Sequence, residues 1–281
     1  MGELWEAPAK VNLSLEVGDP DRSGYHPLRS LVQTIELLDV VDIEEAEDDR
    51  LTVVGAELDE QENLVWRAAD AAAGGGRRPR LDIRLTKRIP VAAGLGGGRS
   101  DAAATLSAVA PMTGLPDVEM SRVASTIGSD VPLFLVGGTV RMEGHGERIT
   151  VEAALDGFAV ALVVPDLLLA TPEVYRRWDE MEGPDGPGFE GRSMPPSLRV
   201  HGPLRNDLTP AALALVPSLG DLMADLAREW EGPVLMSGSG PTLFGCFPGL
   251  DEAEDAVGHV PDGVRSVHAG LLRGHGVSRQ D

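Results

Sequence analysis

"IPVAAGLGGGRSDAAATLSAV" (Ile89–Val109) places four glycines within five positions and follows them at once with an alanine-rich run at helical spacing. A glycine-rich turn that opens a helix gathers several backbone N–H groups and the positive end of the helix dipole at one point. That is an anion site best suited to phosphate. Glycine is needed there because a Cβ would block close approach and because some positions require positive φ. Before the turn, "RLDIRLTK" alternates, with Leu81, Ile83 and Leu85 inward and Lys87 at the exit. Strand, glycine turn and helix (about Ser100–Met112) therefore follow one another. A flexible turn packed tightly on a neighbouring element would carry the same glycines.

Two familiar phosphate loops are excluded. Walker A requires Gly-x4-Gly-Lys-Ser/Thr, whereas Gly98 is followed by Arg99 and the earlier glycine's position holds Ala93. The dinucleotide fingerprint Gly-x-Gly-x-x-Gly ends on Arg99 when counted from Gly94 and on Asp101 when counted from Gly96.

Outward from the loop, "AKVNLSLEV" also alternates. Val11, Leu13, Leu15 and Val17 share one face, and Lys10, Asn12, Ser14 and Glu16 the other. This predicts a half-buried strand with Lys10 and Asn12 on its polar face. "DPDRSGYHP" reads as a turn or loop, followed by strands over Leu31–Ile35 and Val40–Ile43 and a helix over Asn63–Ala73. A second helix begins with Pro116 in its first turn and ends at Gly128. "SDVPLFLVGGTVRMEG" opens on a capping-type Ser-Asp pair and runs into a strand. Phe158–Pro165 is a continuous buried strand, "TPEVYRRWDEM" starts a helix, and Met181–Ser197 is a long loop. Helices near Asn206–Leu215 and Leu219–Trp230 precede strands at Val234–Met236, Leu243–Phe247 and Val264–Val267. Strands and helices are mixed rather than strictly alternating, which argues for an α+β fold. A division into 1–152 and 153–281, within Gly146–Asp156, is expected.

At 281 residues, 42% hydrophobic and 25% charged, the chain has the composition of a soluble globular protein. The single cysteine, Cys246, excludes an internal disulfide framework and a cysteine metal cluster. No apolar run is long enough to span a bilayer, and the N-terminus lacks the order of a signal or transit peptide. These features suit a reducing cytoplasm. A net charge of −21 tells against nucleic acid and anionic lipid as partners. A bound nucleotide must then be met locally, by backbone N–H groups, a few placed cations and a metal. Lys10 and Lys87 are the only lysines and Tyr25 and Tyr175 the only tyrosines.

"PAKVNLSLEV", "SGYHPLRSL", "ENLVWRA", "TKRIPVAAGLGGG", "IGSDVPLFL", "LRNDL" and "MSGSGPTLFG" run in this order over most of the chain. Together they resemble the GHMP kinase superfamily of small-molecule kinases and, within it, the branch acting on 4-diphosphocytidyl-2-C-methyl-D-erythritol. The resemblance implies a two-domain α+β fold with the active site in a cleft between the halves. The implied reaction moves the γ-phosphoryl of ATP onto the acceptor's 2-hydroxyl, in the non-mevalonate route to isoprenoid precursors. By the same resemblance Lys87, Pro90, Ala93, Gly94, Leu95, Gly96, Gly97, Gly98, Arg99 and Ser100 contact ATP, and Asn63 and Val65 lie near its base. Mg²⁺ bridges the phosphates and is held mainly by them. Asp130 matches the catalytic aspartate and Lys10 its lysine partner. Tyr25 and Tyr175 match two positions that stack on the cytosine, and His26 bonds the pyrimidine edge. Asn12 and Thr171 lie along the methylerythritol-phosphate path, and Ser237–Gly240 shape the cleft floor.

Those roles are chemically coherent. Phosphoryl transfer asks mainly for positioning and for stabilising charge on the moving group. A carboxylate beside the acceptor hydroxyl can take its proton, and a nearby lysine keeps that carboxylate ionised. Plain alternatives exist: Asp130 as a helix N-cap, Lys87 as a solvated strand end, Tyr25 as a loop cap, Tyr175 on a buried helix face, His26 at the surface. Two departures stand out. Arg99 replaces the first serine of the family's Gly-Leu-Gly-Gly-Gly-Ser-Ser, and Pro27 stands where an acidic residue is usual. A cation at a helix start opposes the dipole, yet clamps phosphate if it points into the cleft. The rival readings are a homoserine- or mevalonate-type GHMP kinase, a nucleotide-binding regulator without chemistry, and a structural protein with glycine turns.

Overall fold

The computed structural model describes residues 2–22, 24–191, 194–261 and 263–280. Ser23 of the Asp19–Pro27 loop and Arg192 and Ser193 of the Met181–Ser197 loop lie outside these. Strand β1 (Glu3–Val17) pairs antiparallel with the 18-residue β2 (Leu28–Glu45). The sequence predicts two strands, Leu31–Ile35 and Val40–Ile43, where β2 is one. It stays continuous because each half finds a partner on its far side. Val40–Glu45 pairs with β4 (Leu81–Thr86), and Leu28–Gln33 with β5 (Thr139–Gly144). Strand β3 (Arg50–Val54) lies parallel to β4 and is joined to it through helix α1 (Leu64–Ala72). β6 (Arg148–Val151) pairs with β5.

A second sheet has the order β10-β7-β9-β8, formed by β7 (Ala159–Pro165), β8 (Leu235–Met236), β9 (Leu243–Phe247) and β10 (Val264–Leu271). The short β11 (Ser278–Arg279) then returns to the first sheet, opposite Trp5 and Glu6 on β1. The chain's last residues thus pair with its first half.

Helices α2 (Gly97–Thr113), α3 (Asp117–Ile127) and α4 (Val131–Val136) share with the first sheet a core that includes Val41, Ile83, Leu106 and Phe134. The alanine run Ala102–Ala104 is fully buried. Side chains this small let α2 lie close to α1 and β1, since interaxial distance follows side-chain size at the contact. Helices α5 (Thr171–Glu180), α6 (Thr209–Leu215) and α7 (Pro217–Glu229) pack with the second sheet around Val163, Val174, Leu226 and Leu243. Helix α8 (Leu250–Gly258) covers Ala159 and Ala161 of β7. A further cluster joins Val11, Leu13 and Leu31 of the first sheet to Val160, Leu162 and Phe244 of the second. The two sheets therefore share apolar core along β1.

Asp130 heads a helix, Val131–Val136, with Pro132 in its first turn and Gly137 at its end, and the strand that the stretch runs into begins at Thr139. Proline suits a helix's first turn because its missing N–H is unpaired there anyway. Pro116 is the N-cap of α3 rather than a residue of its first turn. The polar face of β1 is not solvated: Lys10 and Asn12 are only 6% and 8% exposed, because the glycine loop and the second sheet cover them. Among the described residues no helix is long and apolar enough to cross a membrane.

Candidate active site

The glycine loop is clamped from two sides. From β1, the Lys10 amide donates to Leu95 O at 3.0 Å. From the "MSGSGPTLF" turn, Ser237 Oγ donates to Gly94 O at 3.2 Å and Thr242 Oγ1 to Ala93 O at 2.6 Å. Asn206, in "LRNDL", braces that turn by donating through Nδ2 to Met236 O and Gly238 O, each at 2.7 Å. Gly94 and Gly96 have φ of 75° and 77°, where a side chain is strained, and a Cβ would meet Ser237 O at 2.6 Å and the Phe134 ring at 2.6 Å, respectively. The loop is thus held in one shape from below. Above it, α2 starts without a side-chain cap, and its opening residues Gly97 and Gly98 line a cavity of about 930 Å³. Pro90 and Ala93 also line this space, whereas Leu95 is core and Ser100 is fully buried.

Register shifts in β1 between Pro8 and Ala9 and between Asn12 and Ser14 bracket Lys10 and Asn12. Bulges of this kind re-aim side chains, and both residues face the cavity. Lys10 Nζ donates to Asn12 Oδ1 and, at 2.6 Å, to Gly94 O. Asn12 Nδ2 in turn donates to Ser30 Oγ at 2.8 Å. Burial lowers Lys10 from its ordinary 10.5 to about 8, with the Asp130 charge opposing the shift and Arg99 adding to it. Asp130 occupies the N-cap position of α4, but its side chain makes no capping bond. Its Oδ1 accepts from Ser129 Oγ at 3.3 Å, and its Oδ2 faces Arg99 Nε at 3.9 Å. Arg99 therefore points across the cavity. Lys10 and Asp130 share that cavity and interact through charge, while the lysine's hydrogen bonds go to Asn12 and Gly94.

Lys87 is neither a solvated strand end nor a flexible charge. Its ammonium is shared by Asp39 and by Asp101 Oδ2, the latter at 2.7 Å, and its side chain is 4% exposed. Although burial works to lower Lys87, the Asp101 and Asp39 charges raise it above its usual value. Burial and the nearby Asp39 charge push Asp101 up, against the pull of Lys87. Asp39 Oδ1 also accepts the amides of Arg88 and Ile89, at 2.5 and 2.9 Å. Within this buried trio, Lys87 and Asp39 pack directly against Gly97. Val65 sends its side chain into the core, and Asn63 caps α1 by accepting from the Val65 amide at 3.2 Å. Neither lines the cavity; from this segment Leu64 comes nearest the loop, at Gly98.

Also lining the cavity, Tyr25 is 69% exposed and packs on His145, with ring centroids 5.6 Å apart. Tyr175, on α5, packs on His26 at 5.3 Å. Burial, followed by the Asp130 charge, pushes the Tyr175 hydroxyl up to about 12, so it stays neutral. His26 is mostly buried against Trp178, and its Nε2 is paired with Asp179 Oδ1 at 2.8 Å. This leaves Nδ1 as the ring nitrogen for a ligand. Thr171 Oγ1 and Ser239 Oγ lie 2.8 Å apart, joining the start of α5 to the second glycine turn.

Sequence reasoning did not single out Asp39, Asp101, Asp179 or His145. Asp39 carried a signal: an acid inside the apolar run "IELLDVV", which a buried strand tolerates only when the acid is paired. The others depend on contacts between segments far apart in the chain.

Among the described residues no group of His, Cys, Asp or Glu is arranged to hold a metal ion by itself. The protein donors at the loop are hard oxygens. Asp130 lines the cavity, and Ser100 Oγ is buried without a partner in the first turn of α2. Such a set fits a Mg²⁺ ion that arrives on a nucleotide and keeps phosphate oxygens as its main ligands.

Residues 63–138 match the family described as GHMP kinases N terminal domain. The chain is 41% identical over 271 residues to the 4-diphosphocytidyl-2-C-methyl-D-erythritol kinase of an Anaeromyxobacter species, covering 92% of this chain and 86% of that one. It is 37% identical over 267 residues to the protein of the same name from Geobacter sulfurreducens, covering 93% and 94%. A crystal structure of 4-(cytidine 5'-diphospho)-2C-methyl-D-erythritol kinase superposes with a TM-score of 0.77 at 34% identity, over 98% of this chain and 100% of that one. A homoserine kinase from Cytophaga hutchinsonii superposes at 0.71 with 15% identity, over 99% and 97%, a likeness of fold alone.

Proposed function

Since the chain belongs to the 4-diphosphocytidyl-2-C-methyl-D-erythritol kinase family of GHMP kinases, we propose that it transfers the γ-phosphoryl group of ATP to the 2-hydroxyl of that cytidyl methylerythritol, in the non-mevalonate route to isoprenoid precursors. The carrying observation is one cavity of about 930 Å³ that the glycine loop, Lys10 and Asp130 line together with Tyr25, His26 and Tyr175. That lining suits an acceptor that carries both a reacting hydroxyl and a flat base.

In this reading the acceptor oxygen attacks the γ-phosphorus. The bond from that phosphorus to the β–γ bridging oxygen breaks, and ADP leaves with the electron pair. Asp130 receives the hydroxyl proton. Lys10, oriented by Asn12 and Gly94 O, offsets charge on the acceptor side of the moving group. The amides at the head of α2 hold the phosphates. A bound Mg²⁺ would neutralise phosphate charge and would be held mainly by the phosphate oxygens. The two tyrosines flank the cytosine, since aromatic faces stack on a flat base with little dependence on sequence.

A coupled ADP-release assay against the cytidyl substrate, homoserine and mevalonate tests the proposal. Release that depends on the cytidyl substrate is expected. Turnover of homoserine or mevalonate instead would transfer the chain to another GHMP activity, and no turnover with any acceptor would leave only the non-catalytic reading.

A further inference from the structure

Arg99 is the loop's departure from its family, and its surroundings give it a part in the reaction. It is the third residue of α2, where a cation works against the helix dipole. Its side chain is half exposed, and among the described residues its ion-pair partner is Asp130, at 3.9 Å. That distance is beyond a hydrogen bond, so the guanidinium holds Asp130 loosely and keeps its donors available. The neighbouring cations are already engaged. Lys87 is shared by two buried carboxylates, and Lys10 donates to Asn12 and Gly94 O. In a chain of net charge −21, Arg99 is thus, of Lys10, Lys87 and Arg99, the cavity-lining cation beside the loop whose hydrogen-bonding capacity is unspent.

We propose that Arg99 exchanges partners during the reaction, pairing with Asp130 when no nucleotide is bound and with the outer phosphates of ATP when it is. Nucleotide binding then frees the Asp130 carboxylate to receive the acceptor hydroxyl, so the two substrates bind synergistically. A guanidinium suits this exchange because its planar fork matches carboxylate and phosphate oxygens alike. The inference rests on the kinase reading above and adds to it a residue that couples the two subsites.

Calorimetric titration of the intact protein tests it, using a non-hydrolysable ATP analogue with Mg²⁺ and the cytidyl acceptor. In the wild type, the analogue is expected to tighten acceptor binding by about fivefold or more, a common size for coupling between sites. Arg99→Ser is expected to weaken the analogue by about 10- to 100-fold, the range for a hydrogen bond to a charged group. The same variant loses the coupling, and Arg99→Lys restores part of the nucleotide affinity without restoring all of the synergy. An Arg99→Ser protein that binds the analogue as tightly as wild type, or keeps the wild-type coupling, overturns the proposal. If the wild type turns over no cytidyl acceptor, the functional reading fails, and the nucleotide titration alone decides whether Arg99 meets phosphate.

Discussion

Lys87 Nζ lies 2.7 Å from Asp101 Oδ2, so the exit of β4 is tied to the first turn of α2 directly beneath the glycine loop. With Asp39 closing the trio from β2, three segments meet at one buried ammonium. The arrangement holds the loop's ends in register, and Lys87, though paired with both carboxylates, still lines the cavity beside the loop.

Lys87→Met should therefore act on stability first. Removing one partner of a buried ion pair strands the other charge and costs ~3–5 kcal/mol. Thermal unfolding should show a clear drop in Tm. A variant with unchanged Tm and only a raised KM for ATP would show instead that Lys87 works as a direct phosphate contact.

Asp130→Asn removes the proposed base while keeping the side chain's size. Turnover should fall by ~10²–10⁴, the usual worth of general-base help. Binding of a fluorescent ATP analogue should persist. Near-normal turnover would remove Asp130 from the chemistry and return it to a structural place at the head of α4.

The chain's two lysines make its pH behaviour directly readable, because ¹³Cε NMR will show two side-chain signals. Lys10 should titrate near pH 8, down from its ordinary 10.5, through burial. Asp130→Asn should move that midpoint lower and Arg99→Ser should move it higher, since the two charges act on Lys10 in opposite directions. The sign for stability follows. Between pH 8 and 10.5 the unfolded chain holds a proton that the folded chain has shed, so the cost of burying charged Lys10 is relieved as pH rises through this window. A Lys10 signal that stays charged through pH 10 would contradict this.

Tyr25→Ala should separate acceptor binding from nucleotide binding. Tyr25 is exposed and distant in role from the glycine loop, so ATP affinity should hold. Affinity for the cytidyl acceptor should fall by about 1–3 kcal/mol, the worth of one base–aromatic stack. Equal losses for both ligands in a binding assay would argue against a base-stacking role.

Much of the molecule was legible in its order of residues. The glycine run ahead of a helix, the alternation of "RLDIRLTK" and of "AKVNLSLEV", and the apolar strand before Pro165 are local patterns, and local sterics and periodicity decide them. The α+β mixture follows from the succession of such patterns. What residues three or four apart cannot report is who stands across a gap. Asp39 and Asp101 became partners of Lys87, and Arg99 turned toward Asp130, because β2, β4, α2 and α4 converge on one point in space. Val131–Val136 folded as a helix, although its apolar run fits a strand equally well, because a buried run carries no period of its own and packing chose between them. Sequence specified the elements and the chemistry each could carry. Tertiary packing, which alone sets distances and excludes water, decided which charges face the cavity and which are neutralised below it.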